Sequence, residues 1–281
     1  MQLEFRTGHD DRTARIVDAL TQKVLAEAAL LALEHVGHQK LGKYFENLIA
    51  FWLDASPRYD LLARNLQIRD AKRTYGELDL IVHDRQTGRT GHWEVAAKYY
   101  LELGPRDELS SWVGPNLRDN LARKSQHLLH HQAKRCEHPV AQELLANRGL
   151  AVDEAFVLLK GHLFRDLSLM KAVIPSAAVG SEIHIDPAHE HFWWCTRSAF
   201  EADFGGLELS WFELIKPNWL TNQSCLPAGE GMRPWSLADC TGPNLIVGMR
   251  GDHEIERGFV APDDWGKGQP TAAKSTIPNQ V

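Results

Sequence analysis

The chain of 281 residues is 43% hydrophobic and 24% charged, the makeup of a soluble globular protein with one large domain or a core plus a smaller companion. Its formal net charge of −6 excludes a strongly basic nucleic-acid-coating protein, so any nucleic-acid partner must be met by local charge. No run approaches the roughly 20 apolar residues that span a bilayer, and the opening residues lack the order of a secretory leader. A cytoplasmic location with no membrane partner is therefore expected. Cys136, Cys195, Cys225 and Cys240 are irregularly spaced without a CxxC pair, which points to reduced thiols and away from a zinc ribbon or redox motif.

In chain order, residues 14–37 are dense in Ala and Leu and read as a helix. A second helix is expected over 40–54, where Leu41, Tyr44, Phe45, Leu48, Ile49, Trp52 and Leu53 recur at three- and four-residue steps. Three strands follow, at 59–68, 75–83 and 90–101. In the second, Leu78, Leu80 and Val82 oppose Glu77, Asp79 and Ile81; in the third, Trp93, Val95, Ala97 and Tyr99 oppose His92, Glu94, Ala96, Lys98 and Tyr100. The short polar link with Gly88 makes those two strands antiparallel neighbours. A helix is expected over 116–134, with Asn116 as its N-cap, then a strand over 154–163. Beyond Pro175, six of the nine tryptophans mix with Pro and Gly, which suggests short strands such as 207–215 and 244–250, and residues 262–281 read as a disordered tail.

The chemistry concentrates on Asp79 and Glu94. Carboxylates in the middle of buried strands are costly unless paired or bound to a cation. On hairpin partners both can project on one face, where two like charges repel and a hard cation relieves the conflict. Lys98 shares the face of Glu94, and Glu46 lies at the edge of the buried face of the 40–54 helix, able to supply a further carboxylate. Lys124 falls between Leu121 and Leu128 on an apolar stripe, where a lysine must snorkel or meet a carboxylate. The alternative is a structural network in which Asp79 and Glu94 pair with Lys98, Lys124 or an arginine. Residues 116–135 carry five Lys/Arg against one Asp, so Arg118, Arg123 and Lys124, together with Arg73 from a second basic stretch, are candidate phosphate contacts. The pattern His189, His191, Cys195 lacks a second half-site for zinc. No Gly-rich phosphate loop, GxSxG elbow or HExxH motif occurs.

The helix with Glu46, then GELD ending at Asp79, then WEVAAK from Trp93 to Lys98, then helix and strand, resembles the PD-(D/E)XK nuclease superfamily. More narrowly, residues 41–53, 75–82, 92–101, 114–124 and 211–220 resemble domain of unknown function 1853, a family of bacterial proteins grouped there. The resemblance implies an α/β restriction-endonuclease-like core with a mixed central sheet, and Mg²⁺- or Mn²⁺-dependent phosphodiester hydrolysis. It implies Asp79 and Glu94 as ion ligands, Glu46 as auxiliary ligand, a lysine beside the attacking water, and nucleic acid as partner, DNA in preference to RNA. One position departs from the superfamily. The usual Glu-x-Lys spacing puts the lysine about 6–7 Å along the strand, but Ala96 stands there and Lys98 lies about 13 Å away. A bulge, or the long stem of Lys98 reaching back, would close that gap; otherwise the site lacks its lysine, and Lys124 is the candidate substitute. The expected organisation is a helical segment 1–37, a core 38–175, an irregular Trp-rich part 176–261 packed on it, and the tail. A non-catalytic nucleic-acid-binding or scaffold protein is the alternative, and a small-molecule enzyme in the same cleft a third reading.

Overall fold

The structure, a computed structural model, describes residues 2–5, 40–105, 108–170, 184–185, 192–221 and 231–268. The helix expected over 14–37, the pair His189 and His191, Cys225 and residues 269–281 lie outside them. The described elements are β1 (Gln2–Phe5), α1 (Leu41–Ala55), β2 (Tyr59–Arg69), β3 (Thr74–Asp84), β4 (Arg89–Glu102), β5 (Trp112–Val113), α2 (Leu121–His127), α3 (Pro139–Ala146), β6 (Glu154–Asp166), α4 (Leu167–Met170), β7 (His184–Ile185), β8 (Phe192–Thr196), α5 (Arg197–Phe204), β9 (Ser210–Leu214), β10 (Met232–Pro234), β11 (Asn244–Arg250) and β12 (His253–Ala261).

The strands form one mixed sheet with the path β10-β9-β11-β12-β8-β6-β4-β3-β2. β2, β3 and β4 are antiparallel neighbours, as the polar link at Gly88 requires, whereas β4, β6, β8 and β12 pair in parallel. Helices cover both faces of the β2–β4 end. Phe45, Ile49, Trp52 and Leu53 of α1 pack on Leu80, Val82, Trp93 and Val95, and Leu121, Leu128 and Leu129 pack on Tyr100, Val157, Leu159 and Leu163. A sheet covered twice buries both sets of alternating side chains. Ile81, expected opposite the core-facing set, is therefore as buried as Leu80 and Val82, packed against Ala141 and Leu145 of α3.

Three expectations are corrected. The helix placed at 116–134 begins at Leu121 with Asn120, not Asn116, as its cap, accepting from the Arg123 N–H. Residues 114–119 form a loop instead, closed by the Gly114 N–H on the Asp119 carbonyl and by Leu117 at φ 60°. The Trp-rich part does not pack on the core as an irregular layer. β8 adds to β6 and β12 adds to β8, so the same sheet continues through it, and Trp193, Phe200, Phe204, Trp211 and Trp235 make a core of their own there. Residues 262–268, expected within the tail, are held down: Trp265 packs edge-on against Trp194 and its indole N–H donates to the Pro115 carbonyl at 2.9 Å.

β4 and β6 stay in register from Gly91 to Leu101 without a shift, so no bulge draws Lys98 back toward Glu94. The two strands approach closely where Lys98 faces Gly161, at φ 137°, a position at which a Cβ would sit 1.6 Å from the Lys98 carbonyl oxygen. Only glycine tolerates that contact and that φ. Gly161→Ala is expected to lose at least about 3 kcal/mol of stability, from backbone strain together with a forced strand separation. An unchanged urea midpoint would contradict the pairing.

Candidate metal centre

The centre lies where β3 and β4 part. Their ladder runs from Asp84↔Arg89 to Leu80↔Trp93 and stops. Beyond it β3 stays paired with β2 as far as Thr74, and β4 stays paired with β6. The interruption leaves the Val95 N–H without a strand partner, and the Asp79 carboxylate accepts it at 3.0 Å. A side chain thus replaces a backbone acceptor, which keeps the donor satisfied while opening a wedge between two otherwise anchored strands.

Glu94 lines the same wedge and is fully buried, at 0% exposure. Leaving its charge uncompensated there would cost several kcal/mol, and the segment after α2 answers it. The Gln132 amide N–H donates to Glu94 Oε2 at 2.7 Å, and the Arg135 guanidinium lies 3.5 Å from Oε1. His92 Nε2 is 3.2 Å from the same Oε1, although neither ring nitrogen meets hydrogen-bond geometry. The helical segment reaches these positions by changing pitch, from α-helix through a π turn at Leu128–Gln132 to a 3₁₀ turn at Ala133–Glu137. Such π turns recur at functional sites because they re-aim side chains.

Burial and the neighbouring Glu94 charge, with a smaller push from Glu46, raise the Asp79 carboxyl from its ordinary value to about 7. Glu46 itself is paired with Lys43 at 2.7 Å, and Lys43 also donates to Asn65. Lys124 is half-buried and its amine donates to the Gln132 Oε1 at 2.9 Å, so one amide links the lysine to Glu94. Burial first, and Lys98 second, push the Lys124 pKa down. Lys98 is committed to Asp119 at 3.1 Å, and the Tyr100 hydroxyl donates to the same carboxylate oxygen at 3.3 Å.

Asp79, Glu94 and Lys124 therefore meet, Glu46 stands at the edge of their field, and Lys98 forms a neighbouring ion pair. Arg118 and Arg123 are exposed, joined by the Arg123 guanidinium on the Arg118 carbonyl, and Arg73, in the link of the β2–β3 hairpin, stacks on Tyr75. Gln132, Arg135, Asp119 and His92 belong to the centre but carried no motif in the sequence. Their one signal was proximity along the chain to Lys124 and Glu94. Cys195, from the zinc pattern, is buried with its thiol pushed up by desolvation, and burial pushes the Cys136 thiol up to about 12. Among the described residues no group of three or more His, Cys, Asp or Glu gathers that could hold a metal ion.

The fold and site define a mixed α/β protein with two carboxylates in a strand wedge served by a basic helix. The family described as a domain of unknown function (DUF1853) matches residues 6–241, and the chain belongs to that family. No curated protein and no solved structure matches it. Among the described residues no helix is long and apolar enough to cross a membrane.

The Asp79 shift has a definite sign. A carboxyl whose folded pKa is raised stabilises the fold fully below its unfolded value, about 3.9. That contribution is lost as pH climbs toward and past 7. Asp79→Asn keeps an acceptor for the Val95 N–H without the charge. It is expected to match wild-type stability near pH 4 and to exceed it by on the order of 2–4 kcal/mol at pH 8. Urea denaturation at both pH values checks this, and a gap independent of pH would count against the shift.

Proposed function

We propose that this protein is a divalent-metal-dependent nuclease with a PD-(D/E)XK, restriction-endonuclease-like core, in which Asp79 and Glu94 hold the ion. The observation that carries the reading is a carboxylate pair brought together by an interrupted ladder, one member of which is pushed up to about 7 and takes up a proton where a cation would serve. All the donors are hard oxygens. Two carboxylates suffice for Mg²⁺ or Mn²⁺, which keep several waters and accept phosphate oxygens in the remaining positions. The bound ion would supply water activation and neutralisation of phosphate charge.

The chain's own residues do the rest. Asp79 releases its proton to become a ligand, and Glu46, close enough to raise Asp79, adds negative potential at the edge of the site. Lys124, with its depressed pKa and its tether to Gln132, exchanges a proton near neutrality more readily than an exposed lysine. It takes the role of the lysine that is absent at Ala96. Arg73, Arg118 and Arg123 offer exposed cations to a phosphate backbone, for which DNA is preferred to RNA as the substrate.

A second reading, a non-catalytic nucleic-acid-binding or scaffold protein, is favoured by one observation. Both Glu94 oxygens already have protein partners, and Lys98 is engaged by Asp119. Calorimetry with Mn²⁺ and Mg²⁺ combined with a DNA-nicking assay separates the two. Nuclease function requires saturable ion binding that Asp79→Ala removes together with cleavage. Lys124→Ala is expected to bind the ion still and to cleave on the order of 10²-fold more slowly. Ion binding that is absent, or untouched by Asp79→Ala, would leave the scaffold reading.

A further inference from the structure

We infer that Arg135 is a resident cation of the wedge, standing in for the metal ion at Glu94 and setting the affinity with which an ion enters. This rests on the ion-binding reading above and goes beyond it. Arg135 is not an exposed charge that happens to lie near an acid. Its guanidinium donates to the Glu77 carbonyl at 3.0 Å, on the stretch of β3 that has left β4, and reaches to 3.5 Å from Glu94 Oε1. It therefore spans the wedge from one parted strand to the other. Its side chain is only 23% exposed.

The seat is shaped for it. Gly76 stands at φ 143°, and a Cβ there would meet the Arg135 Nε at 2.7 Å. The missing side chain is the space through which the guanidinium passes. The 3₁₀ turn that follows the π turn brings Arg135 to this point, while Gln132 holds the other oxygen of Glu94.

A guanidinium and a divalent ion compete for the same carboxylate, since both cannot occupy Oε1 at full charge without repulsion. Without an ion, Arg135 fills the wedge and offsets the buried charge of Glu94. When an ion arrives, the guanidinium must swing away from Glu94, which leaves it on the wedge's open side with its charge free for a phosphate oxygen. Ion affinity is then reduced by whatever Arg135 contributes when it is seated.

The test uses the full chain, Mn²⁺ as probe and isothermal calorimetry at pH 7.5, with Arg135→Met removing the charge at similar volume and Arg135→Lys keeping a charge. Arg135→Met is expected to bind Mn²⁺ at least 10-fold more tightly than wild type, and Arg135→Lys within about 3-fold of it. Because Met leaves Glu94 uncompensated, the ion-free Arg135→Met protein should also melt lower than wild type and regain its midpoint in Mn²⁺. If that variant does not fold without the ion, recovery of folded protein on refolding with Mn²⁺ reads the same property. Binding in wild type that Asp79→Ala abolishes but Arg135→Met leaves unchanged or weakens overturns this inference alone. Absence of Mn²⁺ binding in wild type and Arg135→Met alike overturns the ion-binding reading, and this inference with it.

Discussion

Everything at the site depends on one substitution in the hydrogen-bonding of the sheet, the Asp79 carboxylate taking the place of a backbone acceptor for the Val95 N–H. Two central strands of a covered sheet do not part cheaply, because each freed amide in the interior needs a partner. Here the cost stays local. β2 holds β3 down to Thr74 and β6 holds β4 over its whole inner length, so the strands separate on one side while fastened on the other. The gap that results is a fixed feature of the fold, and it is the reason that a fully buried glutamate and an aspartate whose pKa is raised by burial and by that glutamate can lie near each other at all.

The helical segment from Leu121 to Glu137 completes the wedge by being irregular. A regular α-helix advances 100° per residue, and the apolar anchors Leu121, Leu128 and Leu129 fix how it lies on the sheet. The π turn begins at Leu128, inside that anchored stretch, and alters the helix phase from there on. Gln132 and Arg135 consequently reach the two oxygens of Glu94, and Lys124 joins them through Gln132. The network is continuous, from the lysine through an amide to the carboxylate and on to the guanidinium. Removing any one member leaves another buried group unsatisfied, which gives the π turn a thermodynamic reason to persist.

Much of this was legible in the sequence, and the parts that were not have physical causes. Strand alternation located Asp79 and Glu94 because a carboxylate between buried residues stands out whatever the fold, and the Gly88 link made their strands neighbours. The apolar stripe made Lys124 conspicuous for the same reason. The start of its helix was misread because Leu117 lies in phase with the apolar stripe of Leu121 and Leu128, although Asn116, Asp119 and Asn120 are poor helix formers and a local closure of Gly114 on Asp119 makes them a loop. Gln132 and Arg135 were invisible as site residues because their positions follow from a pitch change that no periodicity announces. The Trp-rich stretch looked irregular because its strands are short. Parallel pairing of β8 with β6 and β12 is a long-range property that local patterns do not encode.

That C-terminal extension also bears on the site, because its residues hold elements that border it. The Tyr99 hydroxyl donates to the Trp219 carbonyl at 2.8 Å and the Trp194 indole to the Glu102 carbonyl at 2.8 Å, so β4 is gripped just past Lys98. Trp265 grips Pro115, at the start of the loop that ends in Asp119 and the Asn120 cap. Asp119 in turn fixes Lys98 and Tyr100. Three tryptophans from the second half of the chain, Trp194, Trp219 and Trp265, thus contact the strand that carries Lys98 and the loop that leads to Asp119. If one of these contacts is loosened, Lys98 and the loop that carries Asp119 shift, while Asp79 and Glu94 remain held by β2, β6 and the turns at Leu128–Glu137 instead. The centre is therefore built in two separable parts. The carboxylate wedge belongs to the first half of the chain, and the placement of its accompanying cations is shared with the second.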